Sequence, residues 1–202
     1  MNKLLIDFYD RKNVVQIAKE LIGKIVITNF NGLRTSGRIV ETEAYTGLND
    51  KASHAYNGKR TVRNEHMYAQ PGTSYVYICY GIHQMFNVVT NERDIPDAVL
   101  IRALEPLAGI DVMLERSGKE RLDHTLTRGP GNVAKALGMN KSHSGVSLTG
   151  DEMFIASDEM LIVEDSIGVS KRIGVDYAEE DASLLYRFFI KGNKYVSGKP
   201  NR

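Results

Sequence analysis

Apolar and polar residues along this chain change period several times, and each change marks an element. Val14, Ile17, Ala18 and Leu21 recur at helical spacing, with Asp10 or Asn13 placed to cap the first turn and Gly23 to end the last. That pattern predicts one amphipathic helix near the N-terminus. Period two follows. Residues 24–28 and 34–45 read as a hairpin turned at Asn31-Gly32, a dipeptide that tolerates the positive φ of a tight turn. Alternation within the second arm sends Glu41, Glu43 and Tyr45 to one face and Val40, Thr42 and Ala44 to the other. An acid and an aromatic ring then share a wall.

Residues 46–66 are polar, glycine-bearing and too long for a mere connection, which points to a functional loop. Residues 74–80 and 85–90 read as paired strands, and 98–104 as another. Pro106 can open a helix carrying Ile110, Met113 and Leu114 that ends by Gly118. A second helix is predicted over 132–137. The Pro130-Gly131-Asn132 run ahead of it fits a turn with an N-cap, and it also fits a helix N-terminus offering free amides to an anion such as a phosphate. Residues 185–190 and 195–197 read as a closing hairpin across Lys191-Gly192-Asn193. Strands in runs with helices grouped outside them describe an α+β fold, here a single domain over residues 1–202. No G-x-G-x-x-G or P-loop pattern calls for a nucleotide cofactor.

Composition narrows the setting. A chain of 202 residues, 42% hydrophobic and 25% charged, suits one soluble globular domain. Cys79 is the only cysteine, so no internal disulfide can form. No apolar run approaches the roughly 18 residues of a membrane span, and the N-terminus lacks a signal-peptide pattern, so a cytoplasmic monomer without membrane contact is expected. Lys and Arg total 26 against 25 Asp and Glu, and the net charge of +1 announces no nucleic-acid partner. Any DNA-binding face must be local. Lys51, Lys59, Arg60 and Arg63 gather in the long loop, and Arg128, Lys135 and Lys141 form a second group; both also fit solvated surface charge.

The candidate chemistry is a carboxylate among rings. Glu43 has Tyr45 on its own strand face, with His54 and Tyr77 in the segments that follow. A lone acid–tyrosine pair is common on half-buried strands, and each ring by itself fits core packing. Together they fit a reaction on a flat ring. Glu41 shares the strand parity of Glu43 and is the alternative acid. The spacing of His54, His66 and His83 matches no zinc pattern and no C-x-x-C is present, so neither a metal nor another cofactor is expected. Cys79, inside an aromatic strand, fits inert packing better than nucleophilic catalysis.

Arg38-Ile-Val-Glu-Thr-Glu-Ala-Tyr45, Pro71-Gly-Thr-Ser-Tyr-Val-Tyr-Ile-Cys-Tyr-Gly81, Asn87 and Arg102-Ala-Leu-Glu-Pro-Leu107 follow one another along the chain. In that order they resemble the alkyladenine (3-methyladenine) DNA glycosylase family, and the likeness runs from about Asp7 to about Ser197. The resemblance implies a curved antiparallel sheet with a hairpin projecting into the DNA minor groove. It also implies a monofunctional base-excision-repair enzyme of the bacterial nucleoid, acting on double-stranded DNA that contains damaged purines.

A base stacked in a duplex must be extruded before chemistry can reach it. By the resemblance, Tyr45 stacks on one face of the extruded base while Tyr77 and His54 close the other. Ring faces attract cations, so the sandwich favours charged alkylpurines. The carbonyl of Ala52 and the amide of His54 meet the base edge, which serves neutral lesions such as hypoxanthine, and Asn87 excludes guanine. Glu43 takes the role of general base and stabilises the oxocarbenium-like sugar. Arg102 and the carbonyl of Ile173 hold the water, although Arg102 also fits a structural partner of a buried acid. No lysine stands at a nucleophile position, so no abasic-site lyase step is expected. Tyr80 fits a wedge for the vacated stack, with Ile82 and His83 beside it in the groove and Lys59, Arg63, Met67 and Lys141 as further DNA contacts. Segments 91–96 and 122–128 depart in length from the family's pattern.

Two other classes fit part of this pattern. A binding module without catalysis accounts for the rings and basic loop but gives no reason for an acid on the wall of Tyr45. A carbohydrate glycosidase uses a carboxylate and aromatics, yet its usual second carboxylate is not evident.

Overall fold

Helical spacing at the N-terminus and period two after it are realised much as the pattern predicts. The computed structural model describes residues 1–158 and 160–198. Its elements in chain order are β1 (Asn2–Lys3), α1 (Ile6–Tyr9), α2 (Val14–Glu20), β2 (Ile25–Phe30), β3 (Leu33–Tyr45), β4 (Ser74–Cys79), β5 (His83–Thr90), β6 (Asp97–Ala108), α3 (Ile110–Ser117), α4 (Pro130–Leu137), β7 (Met153–Ser157), β8 (Ile167–Ser170) and β9 (Arg187–Ile190). Asn13, not Asp10, caps α2, its side chain accepting from the Gln16 amide at 3.0 Å. Val14, Ile17 and Ala18 are the buried stripe of that helix.

All strands belong to one antiparallel sheet of order β1-β7-β2-β3-β6-β5-β4, with β9 joining the free part of β3 and β8 joining β9. The helices stay outside the sheet, which makes the fold α+β. One face of the sheet carries the main core, where Ile17 and Leu21 of α2 and Val133 and Leu137 of α4 cluster with Ile39, Ala44, Phe86, Val88, Ile101 and Leu104. Each such side chain gains about 1.5–3 kcal/mol on full burial, so this packing is what holds the helices to the sheet. No helix among the described residues is long and apolar enough to cross a membrane.

The predicted hairpin at Asn31-Gly32 forms, with Phe30 opposite Leu33 and φ of +54° and +77° at the two turn residues. Strict alternation in β3 does not hold. The register of β3 on β6 shifts between Ile39 and Glu41 and again between Glu41 and Thr42. The first bulge turns Val40 away from Thr42 and Ala44 and into a separate cluster with Ala103, Phe189, Tyr195 and Val196. The second leaves Arg102 unpaired between Ala103 and Ile101, and such extra residues re-aim a side chain. Arg102 thereby reaches both Glu41 and Glu43.

Three expectations are corrected. Pro106 opens no helix; it lies in β6 opposite Gly37, next to a register shift where a missing N–H costs no ladder bond. The helix begins at Ile110, after Gly109 at φ +69°. Pro130, Gly131 and Asn132 are the first turn of α4, with Gly129 as N-cap, so no separate turn precedes the helix. Residues 195–197 form no strand, and β9 pairs instead with β3 and with β8, which the sequence pattern did not reveal. β7 and β8 are short, and their strand character comes from neighbours that lie far away in sequence.

Candidate active site

The other face of the sheet is concave. Alternate residues of three neighbouring strands point the same way: Tyr75, Tyr77 and Cys79 from β4, Met85 and Asn87 from β5, and Ala98, Leu100 and Arg102 from β6. With Tyr45 at the end of β3, the loop residues Ala52, Ser53 and His54, and the segment Ile173–Val175 plus Tyr177, they enclose a cavity of about 530 Å³. That volume lies within the roughly 300–1,000 Å³ typical of small-molecule sites.

The acid sits beneath this cavity. Glu43 is fully buried and accepts from the Tyr45 hydroxyl at 2.8 Å, the Ile173 amide at 2.8 Å and Nη1 of Arg102 at 3.2 Å. Burial raises its pKa, outweighing Arg102 and the two neutral donors. Glu41 differs in kind. Its carboxylate takes bonds from Arg102, Arg187 and both the amide and hydroxyl of Ser197, whereas the three donors to Glu43 all line the cavity. That saturation makes Glu41 a clamp between β3, β6, β9 and the C-terminal segment. Arg102 bonds both acids, which fits the structural partner of a buried acid that the sequence left open.

The rings are set by local structure. His54 Nδ1 lies 2.9 Å from the Tyr75 hydroxyl, and the His54 and Tyr77 rings meet edge-on with centroids 4.5 Å apart. Burial, with the nearby charges of Arg63 and Lys59, lowers the His54 pKa to about 4, so the ring is neutral near pH 7. The loop that carries it is ordered by Asn64, whose buried amide donates to the carbonyls of His54 and Lys59. Asn87 donates through Nδ2 to the carbonyls of Tyr75 and Met85. That leaves Oδ1 as the polar atom it can offer the cavity.

At the mouth, β4 and β5 meet in a turn with positive φ at Tyr80 and Gly81, and Tyr80 is 90% exposed. Ile82 and His83 are exposed beside it, and the His83 ring packs on Gly131 of α4. Arg63 lines the rim, bonded to the Ile78 carbonyl. Lys59 lies exposed behind it, and Lys141 sits on the turn packed against β4, away from the cavity. Met67, expected to touch DNA, is 3% exposed and packs with Tyr68, Tyr75 and Val89 as part of the cavity wall. Lys51 and Arg60 are neutralised by Glu179 and Glu180 and by Glu65 and Asp94, so the basic patch reduces to Lys59 and Arg63.

A family model described as methylpurine-DNA glycosylase matches residues 7–194. The chain belongs to the methylpurine-DNA glycosylase family. A protein of Clostridium perfringens (strain 13 / Type A) named "Putative 3-methyladenine DNA glycosylase" is 47% identical over 201 residues, 96% of this chain and 98% of its own. Proteins of the same name from Desulfitobacterium hafniense (strain Y51) and Chlamydia felis (strain Fe/C-56) are each 44% identical, over 98% and 93% of this chain. Membership makes the chain a DNA glycosylase for alkylated bases, a hydrolase of the N-glycosyl bond that works on DNA in base excision repair.

For a glycosylase the structure adds residues that sequence reading passed over. Tyr75 shares the parity of Tyr77 on β4 and so was discoverable from alternation. Asp50, Arg172 and Tyr177 carried no local signal: Asp50 and Arg172 form a fully buried ion pair across 122 positions, and the Tyr177 hydroxyl donates to the Ala52 carbonyl at 3.1 Å. That bond engages the carbonyl expected at the base edge.

Proposed function

We propose that this glycosylase receives an extruded alkylated or deaminated purine in the ring-lined cavity and hydrolyses its glycosidic bond with a water activated by Glu43. The substrate class is that of 3-methyladenine, 7-methylguanine, hypoxanthine and ethenoadenine in duplex DNA. The observation that carries the reading is Glu43 itself, a buried carboxylate tied to Tyr45, Arg102 and Ile173, each of which lines the cavity. A carboxylate so placed meets both needs of the reaction: it takes the proton of the water and offsets charge developing on the sugar. Its hydrogen bonds use part of its acceptor capacity and leave room for a water. Tyr45, Tyr77 and His54 supply faces for the base, and Ala52 and Asn87 supply polar edges.

No lysine is among the residues lining the cavity, which supports hydrolysis by water without a lyase step. Tyr80, standing out at the mouth, fits the wedge that fills the vacated stack. The net charge of +1 and the ion-paired surface support contact with DNA through a small local face.

The test is single-turnover excision of hypoxanthine from a duplex, with lesion binding measured alongside. Glu43→Gln is expected to lose roughly 10²–10⁴ in rate, or more, while binding persists. Glu41→Gln is expected to lower thermal stability and leave the rate of the folded enzyme near the parental value. Near-parental excision by Glu43→Gln would refute the assignment.

A further inference from the structure

Arg172 lies directly behind Tyr45. Its Cζ is 4.7 Å from the centroid of that ring, yet Tyr45 lines the cavity and Arg172 does not. The guanidinium therefore covers the ring face turned away from the site. It cannot move. Nη1 and Nη2 pair with the carboxylate of Asp50, and they also donate to the carbonyls of Ala44 and Asp181 at 3.0 and 3.2 Å. Nε is buried and has no hydrogen-bond partner among the described residues. The Tyr186 ring lies 5.4 Å from Cζ.

Asp50 is the hub of this support, since it also accepts from the amides of Ala52 and Thr46. One ion pair thus joins the end of β3, the loop that carries Ala52 and His54, and the segment that carries Ile173. Arg63 also approaches a wall ring, 5.4 Å from the centroid of Tyr77, but it is exposed and screened by water. Arg172 acts in a low dielectric, where a fixed charge reaches farther.

A cation held on one face of a ring draws on the same negative quadrupole that would attract a cation on the other. We propose that Arg172 is a positioning residue that sets charge selectivity. Its fixed charge behind Tyr45 offsets part of the pull of the aromatic walls on cationic alkylpurines and keeps neutral purines competitive. Asp50 limits that offset and holds the guanidinium in place. The proposal rests on the reading of Tyr45 as the platform for the base.

The experiment compares single-turnover excision of 7-methylguanine, cationic in the nucleotide, with that of neutral hypoxanthine in otherwise identical duplexes. Folding is checked by circular dichroism and melting. Removing both charges in the double variant Asp50→Asn/Arg172→Gln is expected to raise the cationic-to-neutral ratio about three- to tenfold. Removing only the acid, with Asp50→Asn, strips Arg172 of its counter-charge and is expected to lower the ratio. Should the double variant fail to fold, the sign for Asp50→Asn decides.

A purely structural pair would depress both excisions in proportion, and an unmoved ratio in Asp50→Asn, or one that rises, would overturn the proposal. Failure of the underlying reading is separable, because Tyr45→Ala would then leave excision of both bases near the parental values.

Discussion

Glu43 is fully buried, and the role proposed for it requires charge, so its pH behaviour tests that proposal. Burial raises its pKa despite Arg102, the Ile173 amide and the Tyr45 hydroxyl. A general base works only when ionised, so activity rises with pH until the proton is lost. The acid limb of kcat/KM is accordingly expected above the ordinary carboxylate value near 4.5, and to vanish from the residual activity of Glu43→Gln. A pH profile of hypoxanthine excision measures it, and a limb below 4.5 would show that the donors prevail over burial. His54 keeps clear of this range, since its pKa of about 4 leaves it neutral where the enzyme works.

Asn87 is pinned from two sides. With Nδ2 bound to the Tyr75 and Met85 carbonyls, the side chain cannot swing out of the cavity. An immobile group can reject a base that carries an extra amino group in that space. Asn87→Ser is expected to raise excision of guanine-related bases relative to hypoxanthine by about tenfold, on the order of 1.4 kcal/mol. Competition between the two duplexes measures this, and an unchanged ratio would reduce Asn87 to a strand residue that satisfies its neighbours.

Among the elements, the β4–β5 hairpin spends stability on shape. Tyr80 holds φ at +50°, a region that costs a bulky residue about 1 kcal/mol and that glycine or asparagine would occupy more easily. The result is a ring held 90% exposed at the cavity mouth. Tyr80→Ala is expected to fold normally and to shift the flipping equilibrium back toward the stacked state, since unstacking costs a few kcal/mol and nothing would fill the gap. A fluorescent base beside the lesion reports extrusion. Equal extrusion by mutant and parent would make Tyr80 a turn residue only.

For the whole molecule, charge and donor arrangement limit the chemistry. Among the described residues no group of three or more His, Cys, Asp or Glu is placed to hold a metal ion, and the cavity lining includes no lysine. Excision is expected to proceed unchanged in strong chelator and to yield an intact abasic strand, cleaved only by later alkali. Loss of activity in chelator, or a covalent complex trapped by borohydride, would contradict this.

Sequence by itself determined the local elements whose cues lie within a few residues. Helical spacing with Asn13 and Gly23, the Asn31-Gly32 turn and the alternation of Tyr75, Tyr77 and Cys79 each act over one turn or one strand, where backbone sterics and side-chain parity suffice. The resemblance carried by three separated segments supplied the family and the roles proposed for its residues. Tertiary structure decided what depends on partners far along the chain. The bulges that turn Val40 inward and aim Arg102 at two acids arise from pairing β3 with β6, and no local pattern announces them. Pro106 stayed in a strand for the same reason, and so arose β8 and the pairing of β9, whose ladders close on segments distant in sequence. Which of Glu41 and Glu43 keeps acceptor capacity free was decided last. Alternation makes them equivalent, and only the donors gathered from β6, β9 and the C-terminal segment saturate one and leave the other beside the cavity.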